Sequence, residues 1–125
     1  MSRQTITTDK IAPSVGPFSA AARAGGFVFL SGQIALDPTS GKLIAGDIVA
    51  QTEQIFHNIS AVLDAAGKSF ADVVKTNVFL TDMKDFAAMN TAYGRHFEAP
   101  YPARTTIAVA GLPFGAAVEI EVLVA

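Results

Sequence analysis

The chain has 125 residues, half of them hydrophobic and only 16% charged, with a formal net charge of -2 and no cysteine. That length suits one domain with its own core, and the charge balance gives no long-range attraction to the phosphates of nucleic acid or to an anionic membrane. Without cysteine there can be no disulfide, thiolate metal site or thiol nucleophile.

The opening segment MSRQTITTDK lacks an apolar signal core, and no apolar run reaches the roughly 20 residues that a bilayer-spanning helix needs, so a cytoplasmic protein is expected. Residues 3–8 read as a short strand. After a loop with Pro13, Gly16 and Pro17, two extended stretches, 18–23 and 27–34, flank Gly25-Gly26, a pair suited to a tight hairpin turn. Asp37-Pro38-Thr39-Ser40-Gly41 carries turn-favouring residues throughout and is expected to form a surface loop. From Asp47 the hydrophobic period becomes helical. Ile48, Ile55, Phe56, Ile59, Val62 and Leu63 share one face, and Gly67 is placed to end the helix.

Residues 73–80 then alternate as a strand with two unlike faces. Asp82 is the expected N-cap of a second helix whose stripe is Phe86, Met89, Tyr93 and Phe97, a spacing that fits a buried face better than a ligand cage. Pro100 and Pro102 keep the chain from continuing it. Two final strands, 103–110 and 117–124, are joined by the loop Gly111-Leu112-Pro113-Phe114-Gly115.

The order βββαβαββ predicts an α+β sandwich in which two helices cover one face of a mixed sheet and leave the other face for a partner. Low charge density adds to the expectation of self-association, since apolar surface left bare by one copy is buried by others. On the last strand Val118, Ile120, Val122 and Val124 suit the helix side, which sends Glu119, Glu121 and Leu123 to the opposite face. A carboxylate there must reach water or find a partner across an interface. Whether Arg104 shares that face depends on the register of the final hairpin, which the sequence leaves open.

The run Pro102-Ala103-Arg104-Thr105-Thr106-Ile107-Ala108-Val109-Ala110-Gly111-Leu112, followed by Val118-Glu119-Ile120, resembles the signature of the RidA/YjgF family. The likeness extends over nearly the whole chain, through Gly16-Pro17-Phe18-Ser19, Leu30-Ser31-Gly32-Gln33-Ile34, Pro38-Thr39-Ser40-Gly41, Val74-Lys75-Thr76-Asn77-Val78-Phe79 and Met89-Asn90-Thr91-Ala92-Tyr93. Each fragment alone is weak; their joint order carries the resemblance. It implies a chorismate-mutase-like fold and a homotrimer whose sheets line a central barrel, with ligand clefts between neighbouring subunits. It also implies hydrolysis of reactive 2-enamino and 2-imino acids, such as 2-aminoacrylate and 2-iminopropionate, to 2-oxo acids and ammonia, with no metal or organic cofactor.

Within that resemblance, Arg104 matches the arginine that holds the substrate carboxylate and Glu119 the glutamate that positions or activates water. A guanidinium suits the first task because its planar donors grip a carboxylate bidentately, and a carboxylate suits the second because it can move protons through the carbinolamine. Ser31, Gly32, Thr106 and Asn90 carry over as pocket contacts. Two residues depart from the pattern. Phe18 stands where imine-hydrolysing members commonly have a tyrosine after Gly-Pro, which removes one hydroxyl from the pocket, and Thr106 stands where many members have cysteine.

Other readings follow from the same residues. Arg104 and Glu119 can be ordinary strand-surface charges, Asn90 a polar helix residue, Phe18 a packing residue, and Ser31-Gly32 a place of close backbone approach. His57 and His96 lack partners at metal-ligand spacing, and the glycines form no phosphate-binding loop. A non-catalytic binder of small 2-oxo acids is the alternative to an imine hydrolase. The RNA-directed role in the family's older labels, endoribonuclease L-PSP and translation initiation inhibitor, is disfavoured by the charge balance.

Overall fold

The computed structural model describes residues 3–125; Met1 and Ser2, the start of the opening segment, lie outside them. One mixed sheet contains strands β1 (Gln4–Ile6), β2 (Ala21–Ala24), β3 (Phe27–Leu30), β4 (Val73–Leu80), β5 (Ala103–Ala108) and β6 (Val118–Val124). Their spatial order is β1-β2-β3-β6-β4-β5. Helices α1 (Ile48–Ala66) and α2 (Phe86–Tyr93) pack over one face. No helix among the described residues is long and apolar enough to cross a membrane.

Helix α1 starts and stops where its sequence says it should. Asp47 accepts a hydrogen bond from the Ala50 amide at 3.0 Å, satisfying a donor that the first turn leaves unpaired. At the other end Gly67 adopts a left-handed conformation, φ 72°, and the Lys68 amide reaches the Leu63 carbonyl at 2.9 Å. The expected stripe is buried: Ile55, Phe56, Ile59, Val62 and Leu63 pack with Val78, Leu80, Val118, Ile120, Val122 and Val124 of the sheet. A fully buried Ile, Leu or Phe side chain contributes about 1.5–3 kcal/mol, so this layer holds the fold together.

The second helix differs from expectation. Asp82 caps a 3-10 turn, Met83–Asp85, through a 2.9 Å bond from the Lys84 amide, and α2 begins only at Phe86. It ends at Tyr93, so Phe97 completes the buried stripe from the segment beyond it. The early strands are also shorter than their hydrophobic runs. Phe18 lies outside β2 in an irregular segment, and β3 stops at Leu30.

The larger correction concerns the last two strands. They do not pair as a hairpin: β5 lies parallel to β4, with Thr76 opposite Arg104, and β6 runs antiparallel along the other side of β4. Helix α2 carries the chain back to the end of the sheet where β4 began, which produces a parallel neighbour. The connection 109–117 then crosses the end of β4, held by bonds from Val109 N to Leu80 O and from Thr81 N to Ala117 O. Consequently β5 is an edge strand.

The face away from the helices carries Phe27, Phe29 and Ile107, each exposed, beside Phe79, Leu123, Lys75, Asn77, Glu119 and Glu121. Phe29 is 50% exposed in the single chain.

Candidate functional site

The β4 register decides where the two central charged residues point. Arg104 is opposite Thr76, a buried residue of the helix face, whereas Glu119 is opposite Phe79 on the bare face. Within one chain the two therefore project from opposite sides of the sheet. The residues predicted from sequence divide accordingly: Phe18, Ser31 and Gly32 gather around Glu119, and Asn90 and Thr106 gather near Arg104.

Glu119 projects from β6 where β3 gives way. Phe29 faces Leu123 and Gln33 faces Ile120, so four residues advance on one side against three on the other, and the extra residue falls at the irregular Ser31-Gly32. The Ser31 hydroxyl donates to the Ser19 carbonyl at 2.6 Å, which fastens this break to the loop before β2. Gly32 is needed for space: a Cβ there would overlap the Glu119 carboxylate, lying 2.9 Å from its carboxyl carbon. Any side chain at this position would displace the acid.

The Glu119 carboxyl is held above the ordinary glutamate range, first by burial and then by the neighbouring charge of Glu121. Glu121 accepts a hydrogen bond from Asn77 Nδ2 at 2.9 Å. A cleft of about 450 Å³ opens beside Glu119, lined also by Phe18, Ser31, Gly32, Gln33 and Phe114. Phe18 is 51% exposed there, and its amide donates to the Gly16 carbonyl at 2.8 Å. No local pattern marks Phe114 as a lining residue, because the path of its loop depends on where β5 lies.

Arg104 occupies a second, smaller cleft of about 330 Å³ with Asn90, Tyr93, Gly94, Tyr101 and Pro102. Its guanidinium carbon stands 4.7 Å from the centre of the Tyr93 ring and 5.7 Å from that of Phe86, a cation–π seat that leaves the planar donors free to meet an anion. The Tyr93 hydroxyl shares a 2.9 Å hydrogen bond with the buried Thr76 hydroxyl, which fixes the ring beneath the arginine. Two buried oxygens, Asn90 Oδ1 and Thr106 Oγ1, lack a hydrogen-bond partner. Such groups are costly unless something satisfies them.

The histidines take places apart from both clefts. His96 stacks on Phe56 at 4.4 Å and meets Glu53 Oε2 at 2.9 Å, while His57 is exposed on α1. No group of three or more His, Asp or Glu among the described residues is arranged to hold a metal ion.

A mixed sheet under two helices, with the Glu119 carboxylate on one face and the Arg104 guanidinium on the other, is an α+β architecture. The family model described as Endoribonuclease L-PSP matches residues 8–125. Protein DfrA of Myxococcus xanthus is 46% identical over 125 residues, with 98% of this chain and 95% of that protein covered. A mouse protein named 2-iminobutanoate/2-iminopropanoate deaminase is 42% identical, with 97% of this chain and 90% of that protein covered. The crystal structure of RidA from an Antarctic Psychrobacter superposes with a TM-score of 0.92 at 48% identity, covering 97% of this chain and 98% of that one. The chain belongs to the RidA/YjgF, or endoribonuclease L-PSP, family.

Proposed function

We propose that the protein hydrolyses small reactive 2-enamino and 2-imino acids to 2-oxo acids and ammonia, in the cytoplasm, at clefts where the Glu119 face of one copy meets the Arg104 cleft of another. A homotrimer of the chorismate-mutase-like kind, with the bare sheet faces turned inward, would bury Phe27, Phe29 and Ile107 and bring the two half-sites together. Arg104 holds the substrate carboxylate, beside which the unpaired Thr106 hydroxyl can donate, while the unpaired Asn90 Oδ1 can accept from a substrate N–H. Water adds to C2 of the imine, forming a C–O bond while its proton passes through Glu119 to nitrogen. Glu119 then takes the proton of the carbinolamine hydroxyl and returns it to nitrogen as the C=O bond forms and the C–N bond breaks, so that ammonia leaves and the 2-oxo acid remains.

The observation that carries this reading is the setting of Glu119, a carboxyl in an open cleft with raised proton affinity and the space over Gly32 kept clear for it. A carboxyl whose proton affinity burial raises above its ordinary value is suited to take and return a proton. The relatives named as imine deaminases support the same chemistry. Phe18 favours a second reading, a binder of 2-oxo acids without turnover, because the pocket lacks a hydroxyl at that position.

The test is an assay in which 2-imino acids are generated in situ and their decay is followed with and without the protein. The wild type accelerates decay, and Glu119→Gln lowers that acceleration by about 10²- to 10⁴-fold, the usual contribution of a positioned acid or base, while 2-oxobutyrate binding persists. No acceleration by the wild type would leave the binder.

A further inference from the structure

In the single chain the cleft beside Glu119 is larger than a three- or four-carbon imino acid requires, and apolar side chains make up much of its wall. Its volume of about 450 Å³ falls in the range of about 300–1,000 Å³ that accommodates drug-sized molecules. Ile11, Val15, Phe18, Ile34, Leu36 and Phe114 line it, and among the described residues its charged lining is Glu119 and Glu121. Three of those apolar side chains lack full cover in the chain itself: Val15 is 70% exposed, Phe18 51% and Phe114 49%. Phe114 also holds a left-handed backbone, φ 62°, which bulky residues seldom adopt, so the loop fixes its ring at the cleft at a conformational cost.

From this arrangement we infer that the cleft selects 2-imino acids with branched or aromatic apolar side chains, of the kind formed from leucine or phenylalanine, over the alanine-derived acid. The inference rests on the proposed hydrolytic site and adds the side-chain class it takes. With C2 at Glu119 and the carboxylate on the Arg104 of a second copy, the substrate side chain is the part left to fill the cleft. A phenylalanine at position 18 fits this role because a tyrosine hydroxyl facing an apolar group would forgo a hydrogen bond it makes with water. A side chain of several carbons displaces water from Val15, Phe18 and Phe114, and a methyl group does not reach them.

Two readouts separate this inference from the hydrolytic reading. In the in situ assay with imines formed from alanine, leucine and phenylalanine, kcat/KM for the leucine-derived acid should exceed that for the alanine-derived acid by about 10- to 100-fold, as a few methylenes in an apolar pocket allow. In direct titration, 4-methyl-2-oxopentanoate should bind more tightly than pyruvate by a similar factor. Phe114→Asn, whose side chain tolerates the left-handed backbone, and Val15→Ser should each lower both ratios. Acceleration of the alanine-derived imine alone, with pyruvate bound as well as or better than the longer acid, overturns the inference and leaves hydrolysis standing. Tighter binding of the longer acid with no turnover on any imine upholds the cleft's selectivity and removes the hydrolytic reading. Ratios unchanged in both variants would overturn the role of these walls.

Discussion

Gly32 and Glu119 show how one small residue governs a larger one. Because no Cβ occupies the space over Gly32, the Glu119 carboxylate lies against the β3 break instead of turning to bulk water, and burial there raises its proton affinity above the ordinary value of 4.5. The consequence for stability has a definite sign. The folded state favours the protonated acid more than the unfolded chain does, so the contribution of Glu119 to folding is greatest below pH 4.5 and declines as pH rises through its higher folded value. Unfolding free energies of wild type and Glu119→Gln, measured across that interval, should show wild type losing ground to the variant as pH increases. A difference that stays constant with pH would mean that Glu119 titrates as it does in the unfolded chain.

At the scale of elements, β5 and α2 together build the anion seat. Strand β5 supplies Arg104, and α2 supplies the Tyr93 and Phe86 rings on which the guanidinium rests, while β4 supplies Thr76 to anchor the Tyr93 hydroxyl. Ring and hydroxyl do separable work. Tyr93→Leu should weaken 2-oxobutyrate binding by the value of a cation–π contact, about 0.5–2 kcal/mol. Tyr93→Phe keeps the ring and should retain binding, yet leaves the Thr76 hydroxyl unpaired at a cost of about 1–3 kcal/mol in unfolding free energy. Calorimetric titration and denaturant unfolding read the two effects independently. Equal loss of binding in both variants would show that the ring does not support Arg104.

For the whole molecule, the decisive fact is that Arg104 and Glu119 leave the sheet from opposite faces, so a site using both needs two copies. The protein should sediment as a trimer at micromolar concentration. Arg104→Lys and Glu119→Gln chains should each be nearly inactive alone, the first because an ammonium cannot reproduce bidentate binding. Refolded together in equal amounts, they should recover about one in four of the wild-type sites, the share of interfaces in a randomly mixed ring that pair two intact residues. Activity that stays absent in the mixture, with mixed trimers demonstrated by mass spectrometry, would place both residues in one copy's site.

The sequence by itself determined the helix and strand types, the limits of α1, and the bare sheet face bearing Glu119, because those depend on local caps and on the periods 3.6 and 2. It also carried the motif residues that assign the family. What it left open was decided by contacts distant along the chain. Apolar runs were longer than β2 and β3 because periodicity cannot register where pairing is lost, and the break at Ser31-Gly32 exists only against β6. Most of all, the side on which Arg104 lies was set by β5 pairing with β4 rather than with β6. A one-residue change of register moves a side chain through the sheet, and register is fixed by the packing of α2 and the crossing loop 109–117, which no local pattern encodes.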